Sequence, residues 1–160
     1  MSYYSVCKVQ VEDLSMFVIR PYTDTDLDNV VALWQRSWSA TFPNLVHPQP
    51  FDQWKSRFQN DYSKQGCTWV ATTQDRVIGF LVVSDRVISQ IFVEVEIQGI
   101  GIGTELLNHA KFLYPSGLRL TTLQQNEKAR YFYEKHGFVA GAVGVNPING
   151  HPNIEYYWKP

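Results

Sequence analysis

The sequence predicts a single α/β domain of the α+β kind, in which about four helices flank a mixed, mostly antiparallel central sheet of about seven strands. Three observations support this prediction. Alternating apolar segments joined by short turns indicate neighbouring antiparallel strands. One strand runs through a glycine-rich turn into a helix, and a strand-helix-strand connection then requires a parallel pair. A chain of 160 residues also has room for one sizeable core.

Composition excludes several classes of protein. The chain is 44% hydrophobic and 18% charged with a net charge of -1, which is typical of a soluble globular protein. Without a basic run, neither nucleic acid nor an anionic membrane is an expected partner. We find no apolar run of membrane-spanning length and no signal-peptide layout. Cys7 and Cys67 form neither a metal-binding pair nor a disulfide framework, so we expect a cytoplasmic protein without a metal site.

The N-terminal part of the chain predicts one core strand, two helices and a loop. Residues 1–15 form an extension that is either an added edge strand, because it contains spaced valines, or a mobile tail. The first core strand is expected at residues 16–20, and helix one follows with apolar residues at helical spacing across residues 27–38. Three prolines predict a loop over residues 41–50, and spaced aromatic residues predict a short helix over residues 51–58.

The middle of the chain predicts three strands and a helix. Residues 67–73 and 77–83 form a hairpin, and the central strand follows at residues 87–95 with strict alternation of its two faces. Helix three extends over residues 102–113, where apolar positions recur every three to four residues. Residues 118–123 are the next strand, which must lie parallel to the central strand in a right-handed crossover.

The C-terminal part predicts one helix and two strands. Helix four extends over residues 127–136 and ends before Gly137, which suits a left-handed C-cap. Residues 138–145 and 154–158 are the last two strands, joined by a loop that contains an Asn-Gly pair.

The turn over residues 98–103 predicts an anion site, because bare N–H groups and a helix N-terminus converge there. A dinucleotide fingerprint does not fit, since Thr104 or Leu106 stands where its last glycine is needed. The following strand, residues 118–123, also lacks the acidic residue that binds ribose. A phosphate-binding P-loop does not fit either, because no lysine follows these glycines.

Two motifs resemble those of the GNAT superfamily of N-acetyltransferases. The first is Q-x-x-G-x-G, formed by Gln98, Gly101 and Gly103. The second is N-x-x-A-x-x-F-Y-x-x-x-G-F, which begins at Asn126 and contains Tyr133. The resemblance covers roughly residues 16–159 and implies that the central strand and the next strand splay apart around acetyl-CoA. The implied cofactor-binding residues are Ile91, Phe92, Val93, Gln98, Gly99, Ile100, Gly101, Ile102, Gly103, Thr104, Asn126 and Tyr133.

The resemblance also implies catalytic roles. A backbone N–H near Phe92 or Val93, where the strand typically bulges, would stabilise the oxyanion of the attacked thioester. Tyr133 would protonate the leaving thiolate, since a phenol with a pKa of about 10 is protonated at neutral pH. The competing role for Tyr133 is purely structural. Some family members use a glutamate early on the central strand as base, but Val87 stands there, which leaves Glu94 and His47 as candidates.

These expectations predict an acetyl-CoA-dependent N-acetyltransferase that acts on a primary amine by direct attack in a ternary complex. A small-molecule amine is favoured, because no acidic groove for basic peptides is evident. Trp34, Trp38 and His47 are candidate acceptor-binding residues, although core packing is the more common role of such tryptophans. The resemblance makes a homodimer plausible. The alternatives are an acyl-CoA-binding sensor or scaffold without turnover and a nucleotide-binding oxidoreductase.

Overall fold

The computed structural model describes residues 5–8, 16–45, 50–64, 66–74 and 76–160. The strands are β1 (Ser5–Lys8), β2 (Met16–Pro21), β3 (Thr68–Thr73), β4 (Arg76–Ser84), β5 (Val87–Val93), β6 (Leu118–Leu123), β7 (Val139–Val145) and β8 (Pro152–Trp158). The helices are α1 (Leu27–Thr41), α2 (Phe51–Arg57), α3 (Ile102–Leu113) and α4 (Glu127–Lys135). In these ranges no helix combines the length and apolarity that crossing a membrane requires.

The strands form one mixed sheet in the order β1-β2-β3-β4-β5-β6-β8-β7. Only β5 and β6 are parallel, and every other neighbouring pair is antiparallel. The predicted mixed, mostly antiparallel sheet with four helices is therefore confirmed. The eighth strand is β1, which pairs with β2 so that Ser5 lies opposite Ile19. Of the two alternatives for the N-terminal extension, residues 5–8 thus form an edge strand, whereas residues 1–4 and 9–15 lie outside the described part.

The helices cover opposite faces of the sheet and create two apolar cores. On one face, α3 and α4 pack on the sheet around fully buried residues such as Ile102, Leu106 and Tyr156. On the other face, α1, α2 and the wide turn Phe58–Tyr62 that continues α2 form an aromatic core that includes Trp34, Trp54 and Phe80. Strand β5 contributes to both cores, because Ile91 and Val93 pack toward the first and Phe92 toward the second.

Candidate active site

The site is organised around a wedge between β5 and β6. These strands pair only at Val87 with Arg119 and at Ile88 with Leu120, and beyond these two positions they diverge. By contrast, β5 stays paired with β4 as far as Val93. The C-terminal half of β5 therefore has one edge that is free of strand partners. This is the arrangement expected where two parallel strands separate.

The bulge of the central strand lies at Ser89. Val82 pairs with Gln90 and Val83 pairs with Ile88, so Ser89 has no counterpart on β4. This position corrects the expectation of a bulge near Phe92 or Val93. An extra residue on one strand of an antiparallel pair is a β-bulge. It changes the direction of β5 at the point where the wedge begins to open.

The register of β5 decides which main-chain groups face the wedge. The Glu94 N–H donates to the Ile78 carbonyl at 2.8 Å, and hydrogen-bonded pairs alternate along an antiparallel ladder. Phe92 therefore directs its N–H toward Phe80 on β4, whereas Ile91 and Val93 direct theirs into the wedge. The expected role of the Phe92 amide as oxyanion donor is corrected on this ground.

The Val93 carbonyl is already fully engaged. It accepts hydrogen bonds from the Gln98 side-chain amide at 3.1 Å and from the Ser37 hydroxyl at 3.3 Å. A carbonyl oxygen has two lone pairs, so both acceptor positions of Val93 are used. At this residue only the N–H remains for a ligand in the wedge.

The glycine turn ends in a helix N-terminus with no side-chain cap. Gly99 and Gly101 have φ values of 88° and 98°, and a Cβ at either position would meet no atom within 4 Å. Gly101 is the N-cap of α3, and the first bond within the helix runs from the Glu105 N–H to its carbonyl. The preceding amides of Ile102, Gly103 and Thr104 thus have no intrahelical acceptor, and the space in front of the turn is open. This combination suits a phosphate group.

Two side chains, one from α4 and one from its C-cap residue, border this turn. Lys128 Nζ donates to the Gln98 side-chain oxygen at 2.7 Å, which places a positive charge beside the turn. The His136 ring lies against Thr104, with its Nε2 atom 3.2 Å from the hydroxyl, while its Nδ1 atom lies 2.7 Å from the Phe132 carbonyl. In the neutral ring, Nδ1 donates to that carbonyl and Nε2 accepts from Thr104.

Asn126 and Tyr133 lie at opposite ends of α4. Asn126 is the N-cap, and its side-chain oxygen accepts from the Ala129 N–H at 3.1 Å. Tyr133 is buried beside Phe138 and Tyr156, and this burial raises the pKa of its phenol well above the ordinary value of 10.0. Tyr133 is therefore a protonated donor at every physiological pH. Within the described chain its hydroxyl makes no hydrogen bond.

A cavity of about 400 Å³ opens on the α1 and α2 side of the wedge. Its walls come from the two helices, from β5 and β6, and from the loop between β7 and β8. The lining residues are Trp34, Trp38, Phe42, Trp54, Arg57, Ser89, Gln90, Phe92, Thr121, Thr122, Leu123, Asn146, Pro147, Ile148, Asn149 and Asn153. Trp34 and Trp38 therefore both pack in the aromatic core and line the cavity.

Glu94, one of the two predicted bases, is not among the described residues that line this cavity. Glu94 is buried outside it, and its carboxylate lies 2.7 Å from Arg36 Nη2 and 3.7 Å from Arg76 Nη2. In this position Glu94 ties α1 and β4 to the end of β5, so we do not propose it as the general base. His47 lies outside the described residues. Among the described lining residues there is no aspartate, glutamate or histidine.

Sequence reasoning missed a hydrogen-bonded group on the cavity wall. Arg57 Nη2 donates to the Tyr62 hydroxyl at 3.0 Å, and the Gln90 side-chain amide lies 3.1 Å from the same oxygen. The guanidinium carbon of Arg57 lies 5.6 Å from the Trp34 ring centroid. The only sequence signal was the placement of Trp54 and Arg57 three residues apart on one face of α2.

Comparisons with known proteins agree with this geometry. A family model described as "Acetyltransferase (GNAT) domain" matches residues 64–140. The chain is 32% identical over 135 residues to the "Peptidyl-lysine N-acetyltransferase YjaB" of Salmonella typhimurium, an alignment that covers 83% of this chain and 91% of that protein.

Solved structures share the fold. The solution structure of YjaB from Escherichia coli superposes with a TM-score of 0.72 at 25% identity and covers 89% of this chain and 97% of that one. The PaiA N-acetyltransferase of Thermoplasma acidophilum, solved in complex with coenzyme A, superposes with a TM-score of 0.69 at 18% identity and covers 90% of this chain and 99% of that one.

Proposed function

This chain belongs to the GNAT family of acetyltransferases, and from that premise we propose that it transfers an acetyl group from acetyl-CoA to a primary amine by direct attack in a ternary complex. The observation that carries the proposal is the wedge between β5 and β6. The wedge has free main-chain donors along one edge, an uncapped helix at its end and a cavity that opens onto it.

The residues of the glycine turn fit the diphosphate of acetyl-CoA. The amides of Ile102, Gly103 and Thr104 have no acceptor within the helix, and the dipole of α3 favours negative charge there. Lys128 adds a formal positive charge beside the turn. When bound, acetyl-CoA supplies an activated acyl group, with a thioester carbon for the amine to attack and a thiolate as leaving group.

The free edge of β5 orients the pantetheine arm. The Val93 N–H and the main chain of Ile91 are the groups of this edge that can pair with its amides. The cavity reaches β5 at Ser89 and Gln90, which brings an acceptor amine next to Ile91. We therefore assign the Ile91 N–H, rather than that of Phe92, as the donor to the thioester oxygen.

Tyr133 is the proposed general acid. Its side chain belongs to the core on the α3 and α4 face, whereas the cavity opens on the opposite face of β5. An amine that arrives from the cavity and a phenol on the other side can thus act on the same thioester in the wedge. The raised pKa of Tyr133 keeps its proton in place until a thiolate accepts it.

The proposed acceptor is a small-molecule amine. Its support is the cavity volume of about 400 Å³, which falls within the range of about 300 to 1,000 Å³ that is typical of small-molecule sites. The aromatic walls suit an apolar body, and the described lining offers no carboxylate to attract a lysine ammonium.

A lysine side chain of a peptide is the second candidate acceptor. The observation that favours it is the name of the Salmonella typhimurium relative, a peptidyl-lysine N-acetyltransferase. A linear methylene stem could also pass between the tryptophan rings of the cavity, and ring faces attract ammonium groups.

A panel of amines tests the proposal. We would incubate the protein with acetyl-CoA and either small amines or lysine-containing peptides, and measure thiol release together with product mass. We expect acetylated product with at least one small amine. If coenzyme A binds and no amine or peptide is acetylated, the proposal is wrong, and an acyl-CoA-binding sensor or scaffold becomes the better account.

A further inference from the structure

We propose that the acceptor is an apolar α-amino acid, with its carboxylate bound by Arg57, its side chain among the tryptophans and its α-amine at the thioester. This inference rests on the proposed function, since it concerns the acceptor cavity of the same site. Three features of the cavity support it: a fixed guanidinium, the hydrogen-bonded path from that guanidinium to β5, and the lack of a carboxylate or histidine that could act as a general base among the described lining residues.

Arg57 is held in place but keeps most of its donors free. Its guanidinium lies 5.6 Å from the Trp34 ring centroid and 5.7 Å from that of Tyr62. Only one of its five N–H donors makes a hydrogen bond within the described chain, to the Tyr62 hydroxyl. Asp61 lies 4.0 Å from Nε, which is beyond hydrogen-bonding distance. A planar guanidinium with free donors at a cavity wall is suited to a carboxylate, which it can bind through two parallel bonds.

The position of Arg57 favours an acceptor whose carboxylate lies close to its amine. One oxygen atom, the Tyr62 hydroxyl, bridges the Arg57 guanidinium and the side chain of Gln90 on β5. Gln90 lies between the bulge at Ser89 and the wedge-facing Ile91. A carboxylate on Arg57 therefore sits near the place of acetyl transfer, which matches an α-amino acid. A lysine ε-amine is separated from its own carboxylate by a long alkyl stem.

No described lining residue is an aspartate, glutamate or histidine that could act as a general base, which favours an α-amine. Only the neutral amine can attack, and an α-amine at a chain terminus has a pKa near 8. In a free amino acid the neighbouring carboxylate raises that pKa, but pairing of the carboxylate with Arg57 offsets this effect. For an alkylamine with a pKa of about 10.4, the neutral fraction at pH 8 is roughly one part in 250. An α-amine thus needs less help from a protein base than an alkylamine does.

The wall of the cavity on the α1 and α2 side defines the side-chain class. Trp54 lies between Trp34 and Trp38, at centroid distances of 4.8 Å and 5.9 Å, and Phe42 packs beside Trp38. These rings offer an apolar surface that suits an aliphatic or aromatic side chain.

The reaction balances without a further reactant. The α-nitrogen forms a bond to the acetyl carbon and loses one proton to solvent, while the carbon-sulfur bond breaks and its electron pair goes to sulfur. The thiolate takes one proton from Tyr133, which regains a proton from solvent.

Matched acceptors test the inference. We would compare L-phenylalanine, L-leucine and L-tryptophan with their α-amides, which lack the carboxylate and keep an α-amine. The α-amine of an amide has a lower pKa than that of the acid, so amine basicity alone would favour the amides. We expect kcat/KM for the acids to exceed that for the amides by roughly 10- to 100-fold, as expected for a charge-assisted pair. A lysine peptide with blocked termini is the third arm.

Variants of α2 separate the carboxylate contact from general effects of charge. Arg57→Gln should reduce the ratio of acid to amide kcat/KM toward one. Arg57→Lys should give an intermediate ratio, because the positive charge remains but the planar guanidinium with its paired N–H donors is lost. Lys55→Gln is the control, since Lys55 lies on the same helix, pairs with Asp28 and does not line the cavity. It should leave the ratio unchanged. Thermal melting and coenzyme A affinity would report whether each variant is folded.

The outcomes distinguish this inference from the proposed function. Equal use of acids and amides, or a ratio that Arg57→Gln does not change, would overturn the inference. Acetylation of the lysine peptide without acetylation of any amino acid would overturn it as well, while leaving acetyl transfer to an amine intact. If no acceptor is acetylated, both the inference and the proposed function are wrong.

Discussion

Individual side chains at the site have chemical properties that follow from their surroundings. Tyr133 is an ordinary phenol by sequence, but its burial raises its pKa and keeps the phenol protonated at neutral pH. Glu94 is a free carboxylate by sequence, but Arg36 and Arg76 hold it at the end of β5. By sequence, either residue could act as an acid or a base. Only the packing of the folded chain distinguishes their roles.

Replacement of Tyr133 by phenylalanine should reduce turnover and spare cofactor binding. We expect kcat to fall roughly 100-fold or more, within the usual range for loss of a general acid, because the phenol proton no longer reaches the thiolate. Coenzyme A affinity, measured by calorimetry, should be unchanged. Tyr131→Phe is the control, because Tyr131 lies on the same helix with its ring exposed to solvent. An unchanged kcat in Tyr133→Phe would mean that this tyrosine is only structural.

His109 should make stability depend on pH. Burial against Trp69 lowers the pKa of His109 below its ordinary value of 6.5, so the unfolded chain binds the proton first. The free energy of unfolding should therefore be highest above pH 6.5 and decrease as the pH falls below it. Urea titrations of the wild type and of His109→Leu between pH 5 and 8 measure this effect. A slope that is the same in both proteins would contradict it.

We propose that two elements, the glycine turn and β5, determine where acetyl-CoA binds. The turn needs Gly101 because its φ of 98° lies in the left-handed region, and the open space in front of it results from the missing side chain. Strand β5 can offer its main-chain donors to a ligand because it diverges from β6, which leaves these donors without strand partners. Neither element depends on a catalytic side chain, so binding and turnover should be separable by mutation.

Gly101→Glu should abolish coenzyme A binding. A carboxylate would occupy the diphosphate position and repel it, and the substitution also strains the backbone at positive φ. Gly66→Glu is the matched control, because Gly66 has a φ of +81° and equally open surroundings but lies before β3. Calorimetry should detect no binding to Gly101→Glu and normal binding to Gly66→Glu. Near-normal affinity of Gly101→Glu would exclude the turn as the phosphate site.

Deletion of residues 1–15 should lower stability without loss of coenzyme A binding. The deletion removes β1 and exposes the edge of β2, but β2, β3 and β4 lie between this edge and β5. We expect a lower melting temperature, a single cooperative transition and unchanged affinity for coenzyme A. A deletion variant that is folded but no longer binds coenzyme A would show that the edge strand contributes to the site.

For the whole molecule, local signals predicted the fold, whereas long-range contacts formed the cavity that we propose as the acceptor site. The glycine turn, the N-cap at Asn126 and the left-handed position of Gly137 all depend on residues within one turn of each other. The bulge at Ser89 depends on the pairing register with β4, which no local pattern of β5 contains. The group of Arg57, Tyr62 and Gln90 joins residues up to 33 positions apart, so sequence spacing could not bring them together.

The central claim is that the turn before α3 and the free edge of β5 bind acetyl-CoA together. A nitrogen-15 NMR titration of the full chain with coenzyme A tests it most directly, because it follows each main-chain amide. The account predicts the largest shifts at Ile102, Gly103 and Thr104, with shifts at Ile91 and Val93 in the same titration. Saturation with coenzyme A without shifts at these amides would contradict it.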